Sequence, residues 1–228
     1  MNHSDLQSRM DAIIARRDLL AHPFYQAWAA GKLRAEDLRR YAREYYHHVA
    51  AFPAYLSALH SRLPDGQLRR AVLRNLCEEE IAGAAHSDLW LDFAEGMGAD
   101  RESVRSSAPC ETTQALVATF RRIALERPPL AALGAFYAYE SQVARIAGVK
   151  AQGLRDFYGA DAKTCAYFVL HSTLDVHHAR VWAEQIHDGL NGDASSSEDV
   201  FAAVEEAAAA LWKSLDGIHQ PQSESAVA

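Results

Sequence analysis

Residues 171–180 read HSTLDVHHAR, three histidines and an aspartate inside a stretch of otherwise apolar, helix-forming composition. At about 100° per residue, His171, Asp175 and His178 fall within roughly 60° of one another on a helical wheel, whereas His177 lies about 120° from His171. Imidazoles and a carboxylate at i, i+4 and i+7 are donors that first-row transition ions accept. Other segments must supply the rest of such a shell. LCEEEIAGAAHSDLW offers Glu79 and His86, seven residues apart and about 20° apart if the helix is continuous, with small Ala82 and Gly83 on the same face. Glu78 and Glu80 fall about 100° to either side of Glu79 and read as solvated or partnered surface carboxylates. Glu140 sits in LGAFYAYESQVARIAG, a segment so apolar that an unpaired carboxylate is costly to bury and a nearby cation would reverse the sign. Three carboxylates and three imidazoles on a helical scaffold are the donor set of di-iron and di-manganese sites. A lone inward histidine is ordinarily a hydrogen-bonded core residue, and Glu-x6-His pairs arise by chance. The metal reading therefore depends on three segments converging.

The elements that must position these residues are long and sparsely punctuated. Ala-, Leu- and Arg-rich stretches favour helix throughout, and no segment alternates with period two. The pattern predicts helices over about 4–20, a short piece after His22-Pro23, 35–62 with Pro53 inside, 67–95, 113–126, 130–150, 161–189 with Asp161 as N-cap, and a last one from about 195. In that last helix Phe201, Val204, Ala208, Leu211 and Leu215 form a core-facing stripe. The expectation is an all-α, single-domain bundle of about seven helices over 1–217, followed by a disordered tail over 218–228.

Composition excludes several classes. A net charge of −7 on 228 residues argues against non-specific nucleic-acid binding. No apolar run approaches a membrane span, and the N-terminus lacks a signal-peptide pattern. Cys77, Cys110 and Cys165 form no close pair and leave one unmatched, which suits reduced thiols and a cytoplasmic location.

The ordered set Glu79-x6-His86, Glu140 in YES and His171-x3-Asp175-x2-His178 resembles the heme-oxygenase-like di-metal oxidases. Within them the chain is most similar to the chlamydial protein associating with death domains and its bacterial relatives. HPFYQAW, YAREYYHHVAAFP and YESQVARIAGVK extend the likeness over about residues 5 to 217. The resemblance implies a seven-helix fold and a centre of two transition metal ions, iron or iron plus manganese. It implies oxygen-dependent formation of 4-aminobenzoate for folate synthesis, with an external reductant as electron donor. By the same resemblance Tyr25 is the ring source and Lys150 the amino donor, each consumed once, with Tyr139, Tyr41 and Tyr167 as candidates for radical relay or ring positioning. Relatives of this fold are commonly homodimers.

From the residues alone, Tyr25 is a core aromatic and Lys150 a charge near a helix end. Alternatives stay open on the same fold. The oxidase that closes the rings of pyrroloquinoline quinone acts on an external acidic substrate without a metal cage, and the complete carboxylate–histidine set argues against it. The thiamin-salvage hydrolase, TenA, uses a cysteine that LGAFYAYESQVARIAG lacks. Heme binding would need an axial histidine near the N-terminus, where His22 is the candidate. A helical interaction module is the non-enzymatic reading, and nothing in the charge pattern supports it specifically.

Overall fold

A computed structural model describes residues 2–190 and 194–219. Among them are ten α-helices, a 3-10 turn at Leu19–Ala21, and no strand. The helices are α1 (His3–Ala15), α2 (Pro23–Ala29), α3 (Ala35–Arg62), α4 (Gln67–Glu80), α5 (His86–Gly96), α6 (Arg101–Ser106), α7 (Glu111–Glu126), α8 (Pro129–Tyr158), α9 (Ala162–Leu190) and α10 (Ala194–Ile218). The fold is all-α, as the sequence indicates, but with more helices than seven. From residue 220 onward the expected tail lies outside the described residues.

The extra helices come from breaks with identifiable causes. The helix expected over 67–95 is two helices: Ile81 to Ala84 are exposed and bury no apolar face that would hold a further turn. Gly83 turns the chain there at φ +109°, a conformation other residues avoid. The wheel angle drawn between Glu79 and His86 therefore does not apply, and Ala82 and Gly83 do not line the site. The first helix stops at Ala15, and a separate turn follows in which the Asp18 side chain accepts from Leu20 N at 3.1 Å. α6 is a helix the apolar pattern gave no sign of, started by Asp100, whose carboxylate accepts from Ser103 N at 2.8 Å.

α8 runs past its expected end at Lys150 to Tyr158, with Gly153 inside it. That glycine faces Trp28 of α2, and an added Cβ would stand 2.9 Å from Trp28 Cδ1. The glycine is thus a close-approach residue that lets α2 lie on α8 rather than a helix stop. Gly159 in the left-handed region ends α8, and residues 159–161 return the chain into α9, which packs along it as an antiparallel hairpin. Asp161 caps α9 by accepting from Thr164 N at 2.8 Å. The stripe of α10 from Phe201 to Leu215 is buried, and Trp28, Trp90, Trp182, Phe24, Phe52, Phe93 and Phe168 fill the interior. No helix among the described residues is long and apolar enough to cross a membrane.

Candidate metal centre

α4, α5, α8 and α9 bring the six sequence-derived donors together, all of them buried. They form two triads, Glu79–His86–His171 and Glu140–Asp175–His178, and within each the donor atoms lie within 4.8 Å of one another. Donors bonded to one ion at about 2.0–2.2 Å stand up to about 4.4 Å apart, so each triad is close to a ligand shell. The face of α9 supplies donors to both, and exposed His177 points away from it, accepting from Arg180 Nη2 at 3.2 Å.

Hydrogen bonding around the donors fits cations rather than a closed polar network. His86 Nδ1 lies 2.9 Å from Glu79 Oε2 yet makes no hydrogen bond, and Asp175 Oδ2 and His178 Nδ1 are likewise buried without partners. Unpaired buried polar atoms are uncommon, and several converging on one place call for a ligand. His171 Nδ1 donates to the Tyr167 carbonyl oxygen at 2.7 Å, which leaves Nε2 as a bare lone pair, the tautomer a metal requires. Glu140 is held between Asn75 Nδ2, donating to Oε1 at 2.9 Å, and Trp182 Nε1, donating to Oε2.

The acid–base state of the cluster has the same origin. Burial raises Glu79 above the usual carboxylate range against the pull of His86, and burial raises Asp175 strongly. His171 is pushed down to about 3 by burial, with adjacent His86 adding to the fall. For His178 burial acts downward, but the nearby carboxylates of Asp175 and Glu140 outweigh it and lift the imidazole to about 11. Carboxylates and imidazoles this crowded hold protons in place of positive ions.

A second group adjoins the triads. Tyr25, Tyr45, Tyr139, Lys150 and Tyr167 line one small cavity together with Trp90 and Phe168. About 10 Å³ of it is open to the centre of a water molecule, room for one water. Tyr25 Oη and Tyr41 Oη are hydrogen-bonded at 3.0 Å, and Lys150 Nζ donates to Tyr41 Oη. Lys150 Nζ stands 4.4 Å from the centroid of the Tyr25 ring and 4.6 Å from that of Tyr41. Burial pushes Lys150 well below its ordinary range and pushes the Tyr25, Tyr41, Tyr139 and Tyr167 hydroxyls up. Burial thus favours the uncharged amine and the uncharged phenols alike. Tyr167 stacks on His171 with ring centroids 3.9 Å apart, which joins this group to the first triad.

Comparison with known proteins settles the family. Residues 39–212 match the family described as iron-containing redox enzyme. The chain belongs to that family. Among relatives of this chain, 4-aminobenzoate synthase of Nitrosomonas europaea is 42% identical over 231 residues, covering 96% of this chain and 93% of the other. The protein of the same name from Chlamydia trachomatis is 39% identical over 93% of this chain and 91% of its own. A solved structure from Shewanella denitrificans, described as a domain of unknown function with a heme oxygenase-like fold, superposes with a TM-score of 0.80 at 22% identity. It covers 96% of this chain and 92% of that one, which shows the fold. The chain is an oxidoreductase with two clusters able to hold metal.

Several residues of this redox enzyme's site escaped the sequence reading. Asn75 precedes Glu79 by four residues and Trp182 follows His178 by four, so both share a ligand face that the wheel could have flagged. Tyr45 stacks on Tyr41 at 5.2 Å, again four residues apart. Glu78 hydrogen-bonds His178 Nε2, and no spacing argument points to it. His22, weighed as a heme ligand, is committed elsewhere: its Nδ1 accepts from Phe24 N at 3.1 Å to start α2, and its Nε2 meets Asp216 at 3.1 Å.

Proposed function

We propose that this chain is an oxygen-dependent di-metal oxidase that forms 4-aminobenzoate for folate synthesis, with the ring drawn from its own Tyr25 and the amino nitrogen from Lys150. The observation that carries the reading is the amine of Lys150 standing 4.4 Å over the Tyr25 ring, in a cavity with room for a single water. An external aromatic substrate has no space between those two side chains. The names of relatives at about 40% identity support the product.

Glu79, His86 and His171 would hold one ion, and Glu140, Asp175 and His178 the other. When bound, iron or an iron–manganese pair supplies oxidising power with dioxygen and an external reductant. The remaining work falls to the protein. Burial keeps Lys150 neutral and therefore nucleophilic. Tyr41 fixes both reacting groups, since its hydroxyl contacts Tyr25 Oη and Lys150 Nζ together. Trp28 Nε1 donates to the Lys150 carbonyl oxygen at 3.3 Å and ties the helix of Tyr25 to the helix of Lys150. Tyr139 and Tyr167 line the cavity with the amine, and Tyr167 also stacks on His171 of the first triad. Enclosure excludes water that would compete with the amine.

The test is aerobic incubation of metal-loaded protein with a reductant, followed by assay for 4-aminobenzoate and intact mass. Wild type should give at most one product per chain and lose mass at residue 25. Tyr25→Phe and Lys150→Arg should give none. Product from Tyr25→Phe would rule out the role of that ring.

A further inference from the structure

Glu78 reaches the centre from the side. Its Oε2 lies 2.5 Å from His178 Nε2, while His178 Nδ1 faces Glu140 Oε1 at 3.2 Å and Asp175 Oδ1 at 3.5 Å. Both ring nitrogens therefore have set tasks. Nε2–H donates outward to Glu78, and Nδ1 is turned into the triad. His171 is arranged similarly, but its outward partner is the neutral carbonyl of Tyr167, one turn back on its own helix. The two triads thus differ in kind. One has two imidazoles and a single carboxylate, backed by a carbonyl. The other has two carboxylates and an imidazole backed by a third carboxylate.

Glu78 is only partly buried, unlike the six residues of the triads. Its side chain is 34% exposed, at a small opening between α4 and α9 lined also by Arg74, Asn75, His177 and Trp182. Water thus carries part of its solvation, and the cost of a buried ion is largely avoided. A carboxylate acceptor behind a metal-bound imidazole fixes the tautomer, sets the ring angle and strengthens the nitrogen as a donor.

We propose that Glu78 is the positioning residue for the ion held by Glu140, Asp175 and His178, and that its support makes this triad the tighter of the two. The inference rests on the metal reading of the triads. It gives the acidic run 78–80 a division of labour: Glu79 a ligand, Glu78 the support of another ligand, and Glu80 an exposed surface acid.

The test is a double-mutant comparison of Mn2+ binding to chelator-treated protein, read from the free-ion magnetic resonance signal. Wild type should take up two ions per chain in unequal steps. In a His171→Ala background, Glu78→Gln should weaken the remaining ion by about 10- to 100-fold, and Glu78→Ala by no less. In a His178→Ala background, Glu78→Gln should change nothing, because its effect passes through that ring. Glu80→Gln, with the same loss of charge, should leave both steps intact, and circular dichroism checks that each variant is folded. Equal losses in the two backgrounds, or none in either, overturn the proposal. Wild-type protein that binds no Mn2+ at all would sink the metal reading itself, a distinguishable result.

Discussion

Tyr25 meets Lys150 because α2 lies directly on α8 at Gly153, and Gly153→Ala tests that dependence. The new Cβ would stand 2.9 Å from Trp28 Cδ1, 3.2 Å from Nε1 and 3.3 Å from the Trp28 carbonyl oxygen. Carbon atoms pack at about 3.5–4.0 Å, so α2 must withdraw by about 0.5–1 Å. A rotamer change of Trp28 cannot relieve this, since the backbone oxygen is also in the way. Overpacking of this size costs about 1–3 kcal/mol, and alanine returns about 1 kcal/mol of helix propensity. The net loss is about 0–2 kcal/mol, a fall in Tm of at most about 8 °C for a chain of this length.

Activity should respond far more than stability. Tyr25 is one turn before Trp28 on α2, and a misplacement near 1 Å can cost about 100-fold in rate. Metal uptake should be unchanged, because Glu140 lies about 20 Å back along α8 at 1.5 Å per residue. The assay compares 4-aminobenzoate formed per chain, its rate, Tm and Mn2+ uptake. Product at the wild-type rate would refute the claim that this contact sets the Tyr25–Lys150 geometry. Joint loss of product and metal would refute the claim that the effect is local.

Other perturbations follow from the same structure. Lys150→Met should abolish product yet stabilise the fold by about 1–3 kcal/mol at pH 7, the cost of burying a polar group. The folded amine is held neutral by burial while the unfolded one is protonated, so wild-type stability rises with pH and the advantage of the variant should shrink toward about pH 10.4; thermal melts over pH 6–10 read it. Metal at about 100 times its Kd should stabilise the chain by about 2.7 kcal/mol, or about 5–11 °C in Tm. His178 holds its proton to about pH 11, so uptake near neutral pH should release protons and tighten as pH rises, measurable in a pH-stat. Asn75→Ala removes a donor from Glu140 and should cost about 1–2 kcal/mol with weaker metal retention, checked by denaturant melts and metal analysis.

The clustering of the six candidate donors was legible in part because all of them lie on helices. On α9 the wheel and the structure agree in geometry: His171, Asp175 and His178 share one buried face, and His177 is exposed. Glu79 and His86 come into one cluster, but not through the continuous helix their spacing suggests, since the exposed turn around Gly83 separates their helices. No local pattern announces that turn, because small residues suit a helix face and a loop equally. Tyr25 and Lys150 were beyond reach of spacing altogether. Their meeting depends on a tertiary contact of α2 with α8, and Gly153, the residue that permits it, looked like punctuation. Glu78 was lost for a related reason: a wheel describes one helix, and His178 approaches from another.

On the proposed reading, α8 joins two environments with opposite electrostatics. At Glu140 charges are gathered and satisfied by donors from other helices. At Lys150, about 15 Å further along, charge is excluded by Trp28, Phe168, Tyr25, Tyr41 and Tyr45. Between them the helix presents Tyr139, Val143, Ile146 and Ala147 to the cavity. The phenols there keep their protons at any ordinary pH, because burial disfavours phenolate. A buried phenol can therefore be oxidised only if its proton has somewhere to go. For Tyr25 and Tyr41 a neutral amine stands close by, in contact with the Tyr41 hydroxyl, and it takes the proton once that bond reverses so that Tyr41 donates. The burial that makes Lys150 a nucleophile thus also makes it a base, and arginine, which stays protonated when buried, can serve as neither.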